Sequence, residues 1–146
     1  MPFELDISTF RPDRPGIRKV LGDLEAEIME LIWAQPPEKG IAVRDIFELL
    51  YQRRRIAYTT VMSTMARLAK KQLLRVKKNE QTYIYYPTCT EQEFISSFIG
   101  RILEDLFVSF SGSFIEGIRS IQDPQAALEA HRLLDEISHR RQEEES

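Results

Sequence analysis

Residues 57–87 read AYTTVMSTMARLAKKQLLRVKKNEQTYIYYP, and the rest of the chain is interpreted around them. Val61, Met65 and Leu68 recur at i, i+4 and i+7, the spacing that lines one side of an α-helix and turns it toward a core. The opposite side then carries Thr59, Thr60, Ser63, Arg67 and Lys70, with Tyr58, Met62 and Lys71 beside them. Short hydroxyl side chains let a helix enter a major groove and bond base edges or phosphates, and the cations supply the charge that phosphates require. A merely solvated helix face has the same composition, so this helix alone leaves the question open.

The next residues shift the balance. Leu74 and Val76 alternate with Arg75 and Lys77, which is strand periodicity, and Tyr83, Ile84, Tyr85 and Tyr86 favour β-structure. Lys78, Asn79, Glu80 and Gln81 between them suit a polar hairpin turn. A basic hairpin directly after a hydroxyl-rich helix is hard to explain as ordinary surface.

Upstream, Pro2, Pro12, Pro15 and Gly16 forbid a continuous helix, so residues 1–19 are expected as an irregular arm. Phe3, Leu5, Ile7 and Phe10 alternate weakly along it. A first helix should open at Gly22, with Glu25 three residues on as half of a capping box. Leu24, Ile28, Leu31 and Ile32 form its stripe and Trp33 closes it before Pro36 and Pro37. Residues 41–55 read as a second helix with Ile46, Leu49 and Leu50 inward. Its terminal Arg53, Arg54 and Arg55 suit either the helix dipole or phosphate contacts. Helix, helix, basic helix and hairpin is the order of a winged helix-turn-helix over residues 20–88.

Residues 89–140 have a different character. Thr90 and Glu93 make a capping box, and Phe94, Phe98, Ile102, Leu106 and Phe110 then step by four, broadened by Ile99, Leu103 and Phe107. Phe114, Ile115 and Ile118 extend the pattern past Ser111, Gly112 and Ser113. Asp123 and Pro124 cap a last helix with Ala127, Leu128, Leu134 and Ile137 inward, and 141–146 form a charged, frayed tail. So much apolar surface exceeds what a small winged domain covers. A partner helix is the expected cover, with Phe94, Phe98, Ile102, Leu106, Phe107, Phe110 and Phe114 at the contact. Packing on the chain's own winged domain is the alternative.

Charge sharpens the division. The chain carries a formal charge of −3, yet residues 41–80 hold ten bases against three acids. That surplus marks a polyanion-facing surface between acidic flanks. Cys89 is the single cysteine, which excludes an intramolecular disulfide and a cysteine-rich metal cluster. His131 and His139, eight residues apart, give no ligand spacing, so no metal and no cofactor is expected. The sequence has no P-loop, dinucleotide fingerprint, HExxH or nucleophile elbow and no paired catalytic carboxylates, so an enzyme is not expected. The opening residues are acidic where a leader peptide is basic, and no stretch reaches membrane-span length. A cytoplasmic protein with no membrane partner is the expectation.

LGDLEAEIMELIW at 21–33, VRDIFELL at 43–50, AYTTVMSTMARLAKKQLL at 57–74 and TYIYYP at 82–87 together resemble the penicillinase-repressor family (BlaI/MecI/CopY type) of bacterial transcription repressors. The resemblance implies a mainly α fold with a small β-hairpin, a winged helix that reads a palindromic operator in double-stranded DNA, and C-terminal helices that form a homodimer. On that basis Arg55, Tyr58, Thr59, Thr60, Met62, Ser63, Arg67, Lys70, Lys71, Lys77, Lys78 and Asn79 are the expected DNA contacts. A winged-helix module that binds protein instead of DNA is the competing expectation, and the basic stripe from Arg44 to Lys78 argues against it. The sequence departs from the family in three places. Gln72 stands where a helix-ending glycine is usual. Ser97-Phe98 replaces the Asn-Phe bond at which β-lactam-responsive relatives are cleaved, and Cys89 alone cannot supply the Cys-x-Cys pairs of copper-responsive ones.

Overall fold

The helix expected to open at Gly22 runs Asp23–Trp33 (α1), and the Gly22 amide donates to Glu25 Oε1 at 2.9 Å, which satisfies one of the amides left over at the helix start. This computed structural model describes residues 9–145, so Phe3, Leu5 and Ile7 lie outside the described residues. The apolar side of α1 is centred differently from the expected stripe. Ile28 and Ile32 are buried with Ala26, Met29 and the carboxylate-bearing Glu25, whereas Leu24 and Leu31 are half-buried. The helix packs on a third helix at Tyr58–Lys70 (α3), on the sheet and on a short 3₁₀ turn at Gly16–Lys19, and covers on several sides widen the buried face. That turn buries Ile17, so the end of the N-terminal arm lies on the body.

The expected second helix divides. Ile41–Ala42 form a two-residue strand (β1), and α2 is only Val43–Tyr51, with Ile46 and Leu50 fully buried and Leu49 half-buried. Arg53, Arg54 and Arg55 therefore sit beyond the helix, in the connection to α3. Gly40 explains the early break. It has φ +69°, and a β-carbon there would come within 2.5 Å of Ile84 Cγ2 and 2.7 Å of the Tyr86 ring. The backbone turns tightly against the sheet, and only glycine fits.

Helix α3 spans Tyr58–Lys70 and buries Val61, Met65 and Leu68 completely, together with Thr64, whose hydroxyl donates to the Thr60 carbonyl at 2.7 Å. It ends in a Schellman arrangement. Leu73 N–H reaches back to Leu68 O and Gln72 N–H to Ala69 O, both at 3.0 Å, with Gln72 at φ +69°. Gln72 thus takes up the left-handed cap itself, at a steric cost glycine would not incur.

Strands β2 (Leu74–Asn79) and β3 (Thr82–Pro87) pair antiparallel in register Asn79↔Thr82, Val76↔Tyr85 and Leu74↔Pro87, and β1 joins the other edge of β3 to give the order β1-β3-β2. The turn is Glu80-Gln81, with Glu80 at φ +59°. Leu74 is buried as its alternation implies, but Val76 is exposed because the hairpin projects past the body that covers Leu74.

Helix α4 runs Glu91–Phe110 behind the reciprocal Thr90 and Glu93 cap, whose two bonds measure 2.9 and 3.1 Å. The chain falls into two compact units that part at Gly100–Arg101, inside α4 rather than before it. Phe94 and Phe98, expected at a partner contact, are buried in the first unit. Phe94 lies tilted against Trp33 at 5.6 Å between ring centres and meets Phe98 edge-on at 5.4 Å, and the Trp33 indole N–H donates to the Cys89 carbonyl at 3.0 Å. The uniform four-residue spacing hides this change of cover, since periodicity defines a face and not what lies on it.

The second unit continues with a 3₁₀ turn at Ser111–Ser113, α5 at Phe114–Arg119 and α6 at Pro124–Glu145. Asp123 caps α6 by accepting the Ala126 amide at 2.8 Å. Leu128, Leu134 and Ile137, expected inward, are exposed, and only Ala127 is half-buried. A short α5 offers α6 too little surface to cover its apolar residues. No helix among the described residues is long and apolar enough to cross a membrane.

Candidate nucleic-acid interface

Burial of Val61, Thr64, Met65 and Leu68 fixes the roll of α3 about its axis and so decides what faces outward. Thr59, Ser63, Ala66 and Lys70, spaced three or four residues apart, run down the middle of the outer face, with Tyr58 and Met62 along one edge and Thr60 and Arg67 along the other. All eight are exposed. The Ser63 hydroxyl donates to the Thr60 carbonyl at 3.1 Å, which leaves its oxygen outward as an acceptor. The Arg67 guanidinium lies 3.4 Å from Thr64 Oγ1, so its charge is held along the flank of the helix.

The hairpin adds cations in two ranks, because successive side chains of a strand point to opposite faces. Arg75, Lys77 and Asn79 share one face, and Val76 and Lys78 the other. Two of these cations rest over the tyrosine directly across the ladder. The Arg75 guanidinium sits 4.5 Å from the Tyr86 ring centre, and the Lys78 ammonium 5.9 Å from that of Tyr83. Ring contact restrains the long stems and presents the charge from a fixed place. Wing and helix are neighbours, since α3 packs against β2; burial first, and then the phenols of Tyr83 and Tyr58, push the Tyr85 phenol up.

Not every base of the sequence's positive stretch is available. Arg54 meets both oxygens of Glu27 at 2.9 and 2.8 Å, and Arg53 adds a third bond to Glu27 at 3.3 Å. The Arg54 hydrogen bond, opposed by partial burial, holds the Glu27 carboxyl below its usual range. Lys71, expected at the interface, is drawn instead into an ion pair with the buried Glu25, 2.8 Å away. Arg44 pairs with Glu48. Arg55, Arg67, Lys70, Arg75, Lys77 and Lys78 are exposed and, among the described residues, have no ion pair to an acid. Sequence reasoning missed the Glu25 and Glu27 contacts because no local spacing links residues so far apart in the chain. It passed over Ala66, whose exposure follows once Met65 is inward.

A second surface belongs to the other unit. Leu106, Phe107 and Phe110 are exposed on α4, Phe107 stacks on Phe114 at 4.1 Å, and Ile102 and Phe114 are half-buried. A groove of about 290 Å³ runs among Leu106, Phe110, Phe114, Ile118 and Ile121. Val108, Ile115 and Leu128 are each more than 60% exposed, a density of bare hydrocarbon that an isolated soluble surface rarely carries. Among the described residues, no three His, Cys, Asp or Glu side chains gather closely enough to hold a metal ion.

The family model described as penicillinase repressor matches residues 21–138. The transcriptional regulator BlaI of Mycobacterium tuberculosis, in two strains, is 37% identical over 76 residues, which is 52% of this chain and 54% of that protein, so the chain spans about half the length of the curated relatives it matches. Among solved structures, the DNA-binding domain of the repressor BlaI aligns with 49% of this chain and 83% of its own, at 25% identity and a TM-score of 0.43. Bordetella bronchiseptica BpsR, studied for regulation of its DNA binding by 6-hydroxynicotinic acid, aligns with 88% of this chain and 78% of its own, at 18% identity and a TM-score of 0.41.

Proposed function

Because the chain belongs to the penicillinase repressor family, whose model matches residues 21–138, we propose that it is a sequence-specific DNA-binding repressor that acts as a homodimer on an inverted-repeat operator. The observation that carries this is the outer face of α3, where hydroxyls and unpaired cations stand together beside a basic wing. Helix α3 enters the major groove with Thr59, Thr60 and Ser63 toward base edges. Arg55, Arg67 and Lys70 meet the phosphates on either side, and Lys77, Lys78 and Asn79 meet the flanking backbone. Repression follows from occupying promoter DNA.

Two-fold symmetry comes from the second unit, where Ile102, Leu106, Phe107, Phe110 and Phe114 give α4 and α5 an apolar side that a second copy covers. An isologous contact of this kind presents two reading helices to two half-sites related by a dyad.

Mobility shift of the protein on promoter DNA from its own gene neighbourhood, against a scrambled duplex, tests the proposal. Affinity falls with salt at a log-log slope of about −0.9 per phosphate neutralised. The six unpaired cations bound that slope at roughly −5 per protomer, whereas counting every base of residues 41–80 would give roughly −9. Arg67→Ala weakens binding to every duplex alike. Thr60→Ala and Ser63→Ala change sequence preference, by about 1–3 kcal/mol per lost base contact. Binding indifferent to salt, or a protein that sediments as a monomer at micromolar concentration, refutes the proposal.

A further inference from the structure

Hydroxyls and cations account for most of the DNA-facing side of α3, but not for its apolar edge. Tyr58 and Met62, one turn apart, are 44% and 45% exposed, and the exposed Ala66, one turn later, carries the apolar strip from that edge onto the middle of the face. This edge is not loose surface. The Tyr58 ring meets Phe47 edge-on at 5.4 Å, and Phe47 in turn meets Tyr51 at 5.3 Å, so a small aromatic cluster holds the start of α3 against the end of α2. Met62, one helical turn on from that anchored ring, keeps nearly half of its surface open to solvent. Thr59, Ser63 and Lys70 flank the strip on one side, and Arg55 lies just upstream, so any occupant must be anionic around an apolar spot.

A DNA major groove offers one apolar group among the unmodified base edges, the C5-methyl of thymine. We propose that Met62, backed by Tyr58 and continued by Ala66, is a specificity-determining strip that recognises thymine methyl groups in each half-site. This rests on the repressor reading above and adds to it the base that part of the helix selects. The fit is chemical. A flexible, polarisable thioether adapts its shape to a methyl group, and the flanking hydroxyls satisfy the polar edges of the neighbouring bases.

The test begins with selection of a binding site from a random duplex pool by the protein. Each thymine of the selected site is then replaced singly by deoxyuridine, which deletes the methyl group and leaves base pairing and backbone charge intact. At one or two positions per half-site, affinity should drop about fourfold, the equivalent of about 0.8 kcal/mol for one methyl-sized group, with the salt slope unchanged. Met62→Ala, on an exposed helix position that alanine favours, should bind the thymine site more weakly and no longer distinguish thymine from deoxyuridine there. A selected site at which wild type ignores every deoxyuridine overturns this inference and leaves the repressor reading standing. Equal discrimination by wild type and Met62→Ala overturns the assignment to Met62. Failure to enrich any duplex overturns the repressor reading, and this inference with it.

Discussion

Replacing Gln72 by glycine should stabilise the protein, although it deletes a side chain and adds no contact. Gln72 sits at φ +69° as the left-handed residue that ends α3, and its side chain is exposed. A β-carbon in that conformation costs about 1–2 kcal/mol. Glycine removes that cost and returns roughly 0.5–1 kcal/mol of it through the greater freedom of the unfolded chain. A net gain of about 0.5–1 kcal/mol is expected, or roughly 3–6 °C in melting temperature for a cooperative unit of this size. Both hydrogen bonds of the cap are main-chain, so they survive. Urea unfolding followed by circular dichroism should show a higher midpoint with an unchanged slope. Gln72→Ala is the control, because it shortens the side chain and keeps the β-carbon. Should alanine stabilise as much as glycine, or glycine give no gain, the left-handed strain is not what the cap costs.

Gly40→Ala should act in the opposite direction. The added carbon meets Ile84 and Tyr86 at 2.5–2.7 Å in a left-handed backbone, and a loss above about 2 kcal/mol is expected by denaturant titration. Phe94→Ala empties a fully buried site beside Trp33 and should cost about 3–5 kcal/mol in the same assay, whereas Phe110→Ala, at an exposed position, should leave monomer stability nearly unchanged and weaken self-association in sedimentation. Glu27 carries a depressed folded pKa, so its stabilisation is present above the ordinary carboxylate range near 4.5 and disappears as pH falls through the lower folded value. Glu27→Gln should therefore unfold earlier than wild type at pH 7, with the gap closing below pH 4.5; a gap independent of pH would contradict the charge account.

Local patterns in the sequence carried α3, the hairpin, and the caps at Thr90 and Asp123, because each depends on residues a few positions apart. Two classes of feature were not legible. The strand at Ile41–Ala42 is too short to show periodicity and exists only because β3 lies beside it. The pairings Lys71 with Glu25 and Arg54 with Glu27 each join a residue of α1 to one just past the end of another helix, far along the chain, so counting charges along the chain overstated the free positive surface. Phe94 and Phe110 share one spacing and differ in fate, since Trp33 reaches the first, which is fully buried, while the second stays mostly exposed at the rim of an open groove.

Trp33 is the only tryptophan of the chain, and its indole is fastened to the carbonyl of Cys89 and leaned against Phe94. Emission from that one fluorophore is therefore a private gauge of whether the root of α4 stays seated, while far-ultraviolet ellipticity averages over every helix. If the two signals melted apart, the root would be peeling away before the remaining helices unwind. Coincident curves would mean that seat and body come undone in one step.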